Sequence, residues 1–254
     1  MKAIILSAGQ GSRLGHLTHD RPKCLIEFAG RALLDRQLDT LAANGVDEVV
    51  VVTGFRDDQI EAALARRSGG PRVRTIFNPF YKVADNLGSL FVAREELAGS
   101  VLVWNGDTLV SDELMGRVIA NREPGICVTI DRKDRYDEDD MKVIVADDGR
   151  LRAIGKRIAT GVNAESIGLL TFRGDGATRF RAAIERAMRT TEGTTIWYLR
   201  VIHHLAQNGA VGTYDIAGEP WGEVDFPEDL ASAEALCSGW DAVRDVVEKK
   251  AAAA

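Results

Sequence analysis

Residues 2–23 read KAIILSAGQGSRLGHLTHDRPK. Residues 3–6 form a short apolar run of strand type that stops at Ser7 and empties into Gly9-Gln10-Gly11-Ser12-Arg13. Small residues after a strand let backbone N–H groups approach a ligand closely, and successive N–H groups make an anion-binding concavity. The position is apt, because open α/β sheets bind ligands beyond the carboxyl ends of their strands. Two common phosphate loops are excluded by position. A dinucleotide fingerprint starting at Gly9 needs glycine where Leu14 stands, and a P-loop needs glycine five residues after Gly9 and then lysine, which also fails. What the segment offers instead is Gly9 and Gly11, then Arg13, then Pro22-Lys23. Both cations can return to the loop and neutralise a triphosphate; the plain alternative is a tight turn with two solvent-facing cations.

Outward from this loop the first half of the chain alternates strand and helix. Residues 33–44 have helical spacing through Leu34, Leu38 and Leu41 and stop at Gly45. Residues 48–53 (EVVVVT) are a continuous β-branched run, as in a strand covered on both faces. Residues 59–67 predict a helix, 73–78 a strand, 87–97 a helix, and 101–104 a buried strand that runs into Asn105-Gly106-Asp107. Such alternation implies right-handed crossovers and a Rossmann-like, doubly wound, mostly parallel sheet in an α/β fold. The second half is more mixed, with strands predicted at 125–131, 141–145 and 166–172 and helices at 177–189 and 196–207. It reads as a small substrate-binding part joined to the same domain.

The chain has 254 residues, 45% hydrophobic and 28% charged, with a formal net charge of −6. That is an ordinary globular composition, and the acidic balance argues against a general nucleic-acid binder. Cys24, Cys127 and Cys237 are dispersed, which suggests reduced thiols in a cytoplasmic protein and no disulfide framework or zinc site. The N-terminal apolar run is too short for a signal-peptide core or a membrane span. The last residues, Lys249 to Ala254, read as a frayed tail outside the fold.

The N-terminal string through Gly45-Val46 resembles the start of the nucleotidyltransferases that make nucleoside-diphosphate sugars and CDP-alcohols. The family signature, G-x-G-[ST]-R followed by P-K, is matched by Gly9, Gly11, Ser12, Arg13, Pro22 and Lys23, and the resemblance extends to about Leu236. It implies the nucleotide-diphospho-sugar transferase fold over residues 1–240. An NTP-binding half (1–110) would precede an acceptor half (111–240), with a helix or tail at 241–254. It also implies nucleotide contacts from Leu6, Ala8, Gly9, Gly11, Ser12, Arg13, Lys23, Asn86, Ser89 and Asp107.

Cleaving a phosphoanhydride calls for a divalent cation, here Mg2+ held by one or two carboxylates and by phosphate oxygens. Asp107 follows the strand at 101–104, and family members carry a metal-binding aspartate there; the alternative is an ordinary Asn-Gly-Asp turn. Asp225 lies in a late G-x-x-D segment that completes the metal site in related enzymes. It could instead cap the helix expected after Pro227, and Glu223 is a weaker alternative ligand. The run 131–140 (DRKDRYDEDD) reads mainly as a solvated acidic loop. Beyond it, Lys142 and Lys156 match family lysines that reach the substrate phosphate, and either could equally be a surface lysine.

The stretch from Asn78 to Leu90, with Asn86-Leu87-Gly88-Ser89-Leu90, departs from the pattern of hexose-phosphate enzymes. It resembles the N-x-x-S-L segment of phosphocholine and related cytidylyltransferases. The resemblance therefore implies CTP and a small phosphate or phosphonate acceptor. Glu165 would meet an amine or hydroxyl of that acceptor. Tyr81, Trp197 and Trp221 are aromatic candidates for its surroundings, although packing is the plainer role for each. His203-His204 is structural in this reading, since adjacent residues do not share a helix face. The expected reaction is attack of an ionised acceptor oxygen on the α-phosphorus with release of pyrophosphate, assisted by Arg13, Lys23, Lys142 and Lys156. Two rivals stand: the same chemistry on a sugar 1-phosphate with UTP, dTTP or GTP, and a non-catalytic nucleotide-binding regulatory module. Neither membrane nor nucleic acid is an expected partner, and a homodimer stays open.

Overall fold

The computed structural model describes residues 1–123 and 125–252. β1 (Lys2–Leu6) buries Ala3, Ile4 and Ile5 completely, as a central strand covered on both faces must. A short hairpin, β2 (Glu27–Phe28) and β3 (Arg31–Ala32), leads into α1 (Leu33–Ala43), which ends where Gly45 takes φ 69°. β4 (Glu48–Thr53), α2 (Asp57–Ala65), β5 (Arg72–Phe77), α3 (Asn86–Val92) and β6 (Val101–Asn105) follow. β1 pairs in parallel with β4 and β6, and β4 with β5, in the order β5-β4-β1-β6, and this parallel pairing is what the alternation implied. α2 starts two residues before its predicted bound. The helix predicted over 87–97 stops at Val92 and passes into a 3-10 turn, Arg94–Glu96.

The second half contains β7 (Thr108–Val110), α4 (Asp112–Ala120), β8 (Ile126–Asp131), β9 (Lys142–Val145), β10 (Leu151–Ile154) and β11 (Ala164–Phe172). It is completed by α5 (Gly176–Ala187), α6 (Tyr198–Ala206), β12 (Val211–Asp215), β13 (Trp221–Glu223) and α7 (Asp229–Ala252). β11, buried along its whole length, runs antiparallel beside β6 with Leu169 opposite Trp104. It carries β8 and β9 on its other side, again antiparallel, and β12 lies parallel to β8. The two halves thereby share one sheet. Because strand side chains alternate, Ile4 joins an apolar cluster with Leu87, Leu90, Phe172 and Phe180, while Ile5 joins Leu34, Leu38 and Trp104 on the opposite face.

α7 crosses the boundary expected at 240/241, and the segment after it is no loose tail. Arg36, itself buried, donates to Phe28 O and to both carboxylate oxygens of Asp241, and Arg244 makes a forked pair with Asp112. These charges clasp α7 to α1, the hairpin and α4 at least as far as Arg244. Residues 253–254 of the expected tail lie outside the described residues. No described helix is long and apolar enough to cross a membrane. All three cysteines are free and buried.

Replacing Asp241 by Ala leaves a buried guanidinium short of an acceptor. Urea unfolding should register a loss of about 1 kcal/mol or more. A change within a few tenths would show that α7 is not anchored by this pair.

Candidate active site

Two glycines shape the site. Gly11 has φ 70°, and a Cβ there would stand 2.8 Å from Lys23 Cδ, so the lysine stem passes where any other residue would block it. Gly106 donates to Leu6 O at 3.0 Å, and a Cβ on it would meet Ser7 Oγ at 2.4 Å. The turn carrying Asp107 is thereby pressed onto the end of β1. Among the described residues the backbone N–H groups of Ala8, Gly9, Gln10 and Gly11 donate to no protein acceptor, as an anion-binding loop requires.

Lys23 Nζ lies 2.8 Å from Asp107 Oδ2 and 2.7 Å from Asp225 Oδ1, while Arg13 Nη2 lies 2.7 Å from Asp225 Oδ2 and its guanidinium 4.8 Å from the Phe226 ring centre. Four of the residues singled out from sequence thus form one network. Burial alone would lower the Lys23 ammonium, but Asp107 and Asp225 outweigh it and hold the pKa above the ordinary lysine range. Burial likewise pushes Asp225 up, and Lys23 and then Arg13 overcome it and keep the carboxyl low. Glu223 keeps contact with solvent, yet crowding by the protein, then the charges of Asp107 and Asp225, raise its carboxyl. Asp107 Oδ1 is buried without a partner. An ammonium shared by two carboxylates, beside an unpartnered carboxylate oxygen, fits a place for a divalent cation. No set of three or more His, Cys, Asp or Glu side chains is arranged for a metal among the described residues, so phosphate oxygens would complete the coordination.

A second group lies across the cleft. Lys156 Nζ stands 5.4 Å from the Trp197 ring centre, and Lys142 Nζ donates to Lys156 O at 3.1 Å. Lys142 thus braces the backbone of the lysine that faces the cleft. Glu165, almost fully buried at the start of β11, is 3.0 Å from Lys133 Nζ, and the same ammonium is 2.9 Å from Asp140. Burial raises the Glu165 carboxyl to about 7, even though Lys133 pulls it down.

The remaining assignments divide. Tyr81 packs edge-on against Phe55 beside the glycine loop. Ser89 is buried and accepts a hydrogen bond from Asn78 Nδ2. Asn86 Oδ1 accepts from Tyr198 N at the start of α6. Trp221 Nε1 donates to Asp131 Oδ2, and its ring packs on the apolar cluster of the far face. The alternative role for Asp225, a helix cap, is not seen among the described residues: its side chain accepts from no backbone N–H, and Asp229 Oδ2 accepts from Asp225 N and Phe226 N to hold the turn before α7. That leaves the Asp225 carboxylate to the cleft. His203 Nδ1 accepts from Ile154 N, the structural role expected of it. Of the acidic run, most side chains are solvated, but Asp131 is buried and Asp139 reaches Arg13 and Lys156, at 3.8 and 3.7 Å. Sequence reasoning missed Lys133, Asp139 and Asp140, since an acidic run looks alike whether it is solvated or folded over cations.

Residues 3–183 match the family model described as the MobA-like NTP transferase domain. The bifunctional IPC transferase and DIPP synthase of Rubrobacter xylanophilus is 31% identical over 94% of this chain and 52% of its own length. The CMP-5'-(3-aminopropyl)phosphonate synthase of Streptomyces rubellomurinus is 30% identical over 92% of this chain and 38% of its own length. The chain therefore spans about half, or less, of these relatives. The solved inositol-1-phosphate CTP transferase from T. maritima superposes with a TM-score of 0.80 at 24% identity, covering 94% of this chain and 95% of that one, and shares the fold.

The raised Glu165 carboxyl gives stability a pH signature. In the folded chain the group binds a proton up to about 7, whereas in the unfolded chain it releases that proton in the ordinary glutamate range. Its contribution is thus full below the unfolded value and is lost as pH rises toward about 7. Glu165→Gln should flatten the fall in urea-measured stability over that window; an unchanged pH slope would show that Glu165 titrates normally.

Proposed function

The chain belongs to the family of MobA-like NTP transferase domains, and from that premise we propose that it transfers a nucleotidyl group from CTP to a small phosphate or phosphonate acceptor. The observation that carries this is the Lys23 ammonium held between Asp107 and Asp225, next to a loop whose N–H groups are open. An acceptor oxygen, already ionised, attacks the α-phosphorus of CTP. The new O–P bond forms as the bond from the α-phosphorus to its bridging oxygen breaks, and pyrophosphate leaves with the electron pair. No general base is required at the acceptor. CTP and the acceptor class are supported by what the similar proteins are named for; the glycine loop, which meets phosphates through backbone N–H groups, does not choose the base.

In this proposal Asp107 and Asp225 hold Mg2+, which when bound neutralises charge on the phosphates. The residues of the chain do the positioning. N–H groups of residues 8–11 donate to phosphate oxygens, and Arg13 exchanges Asp225 for the triphosphate. Lys23 swings from the carboxylates toward the α-phosphoryl oxygens, while Lys156, braced by Lys142 and backed by Trp197, meets the acceptor phosphate. All of this is charge placed in advance where it develops in the transition state.

Pyrophosphate release measured across CTP, UTP, GTP and dTTP, with phosphonate, phosphoalcohol and sugar 1-phosphate acceptors, should be fastest with CTP and a non-sugar acceptor. A preference for a sugar 1-phosphate with another nucleotide would favour that rival, and no release with any pair would make the chain a regulatory module. Asp107→Ala should lower kcat by roughly a hundredfold or more with the circular dichroism spectrum unchanged. Full activity in that variant would refute its metal role.

A further inference from the structure

The two carboxylates that meet Lys23 are held differently. Asp225 is bonded through both oxygens, to Lys23 and to Arg13, whereas Asp107 has only Oδ2 on Lys23 and Oδ1 buried without a partner. The place of the Asp107 carboxylate is therefore set by its backbone turn, Asn105-Gly106-Asp107-Thr108. Among the described residues no ladder joins the two sides of that turn, since β6 pairs with β1 and β11 and β7 pairs with β13. Two side chains reach it from opposite faces of the sheet instead. From α1, on the face of Leu34 and Trp104, Gln37 Nε2 donates to Asn105 O at 2.8 Å and to Thr108 O at 3.0 Å. From α6, on the face of Ile4 and Phe180, the Tyr198 hydroxyl donates to Asn105 Oδ1 at 3.0 Å. We propose that Gln37 and Tyr198 are positioning residues for Asp107, and that this double brace sets the affinity of the cleft for its divalent cation. The inference rests on the reading of Asp107 as a metal ligand.

Each brace is specific in its chemistry. Two carbonyl oxygens face the Gln37 amide, so its nitrogen stands between them and both of its N–H donors are spent on the turn. Gln37 is buried, and Met or an ionised Glu in its place offers no donor. The Tyr198 hydroxyl is buried too. Burial, then the charges of Asp107 and Glu223, push its pKa well above the ordinary tyrosine range, so it stays an O–H donor. Its acceptor is confined in turn. The Asn105 side chain lies against Gly168, where a Cβ would stand 2.5 Å from Nδ2, and β11 shifts its register on β8 over the same stretch. The backbone bonds from Gly106 N to Leu6 O and from Val224 N to Asp107 O hold the middle of the turn, and Gln37 holds its two ends together. A metal-binding group works only when kept within about 0.5 Å of its productive position by locked neighbours. The groups behind a ligand therefore tune metal affinity without touching the ion.

The test titrates CTP calorimetrically into the full chain over a series of Mg2+ concentrations, in wild type, Gln37→Met, Tyr198→Phe and Thr40→Val. Tyr198→Phe keeps the ring beside Phe180 and removes only the hydroxyl. Thr40 lies on the same side of α1 as Gln37 but donates to Asp112 and not to the Asp107 turn, so its variant reports a general loss of helix packing. Gln37→Met should raise the Mg2+ concentration that gives half of the gain in CTP affinity by roughly ten- to a hundredfold, and Tyr198→Phe should raise it several-fold. Thr40→Val should follow the wild type. Hydrogen exchange of the metal-free, nucleotide-free chain gives a second reading, with faster exchange over residues 105–109 in Gln37→Met and Tyr198→Phe and no change in β4. A wild-type Mg2+ dependence in either of these variants, an equal shift in Thr40→Val, or unaltered exchange over the turn would overturn the proposal while leaving nucleotidyl transfer intact. No effect of Mg2+ on CTP binding by the wild type would overturn the metal role of Asp107 and the proposal with it. Tyr198→Phe carries the test if Gln37→Met fails to fold.

Discussion

One ammonium group ties together three segments far apart in the chain. Lys23 arrives from the stretch after β1, Asp107 from the turn after β6 and Asp225 from the strand–helix junction before α7, and all three meet within hydrogen-bond distance. A half-buried cation between two carboxylates is costly to desolvate and stable only when its geometry is complete. The rest of the cleft follows from completing it. Gly11 must lack a side chain for the lysine stem to pass, Gly106 must lack one for the aspartate turn to rest on β1, and Asp229 must take over the local turn so that Asp225 can face inward. Lys23 and Arg13 together match the charge of the two carboxylates.

The parallel half of the molecule was legible because each strand there carries its own signal. EVVVVT is buried on both faces, and its neighbours along the sheet are read from helix periodicity and glycine stops. The glycine loop was legible from spacing, since Leu14 stands where both standard phosphate loops need glycine while Arg13 and Pro22-Lys23 follow the Gly-x-Gly. The second half resisted for physical reasons. β7 and β13 are three-residue strands that exist only because they pair with each other, and β12 is stabilised by β8, a partner distant in sequence. Local pattern carries no trace of such pairing. α7 lays Leu230, Ala233, Cys237 and Trp240 on the apolar cluster of Leu14, Phe28 and Leu33, and Arg36, Asp241, Arg244 and Asp112 fasten it further; those charges look like surface residues until their partners are placed.

The site itself was legible as a set of residues more than as an arrangement. Arg13, Lys23, Asp107 and Asp225 come together, and Lys156 sits with Trp197. Ser89 and Trp221 make hydrogen bonds inside the fold, and a polar or aromatic residue in a motif looks the same in sequence whether it faces a ligand or satisfies a neighbour. Asp139 and Lys133 went unseen for the opposite reason. Within a run of charges no single one stands out, and only the fold shows that Asp139 meets Arg13 and Lys156 while Lys133 meets Asp140 and Glu165.

In the proposed mechanism Asp107 and Asp225 couple a divalent cation to nucleotide binding. Calorimetric titration with CTP, with and without Mg2+, in wild type and in a variant carrying both Asp107→Asn and Asp225→Asn, measures that coupling directly. Mg2+ should tighten CTP binding to the wild type by roughly tenfold or more, within the usual range of coupling between sites, and the gain should vanish in the double variant. An identical Mg2+ dependence in both proteins would contradict the account.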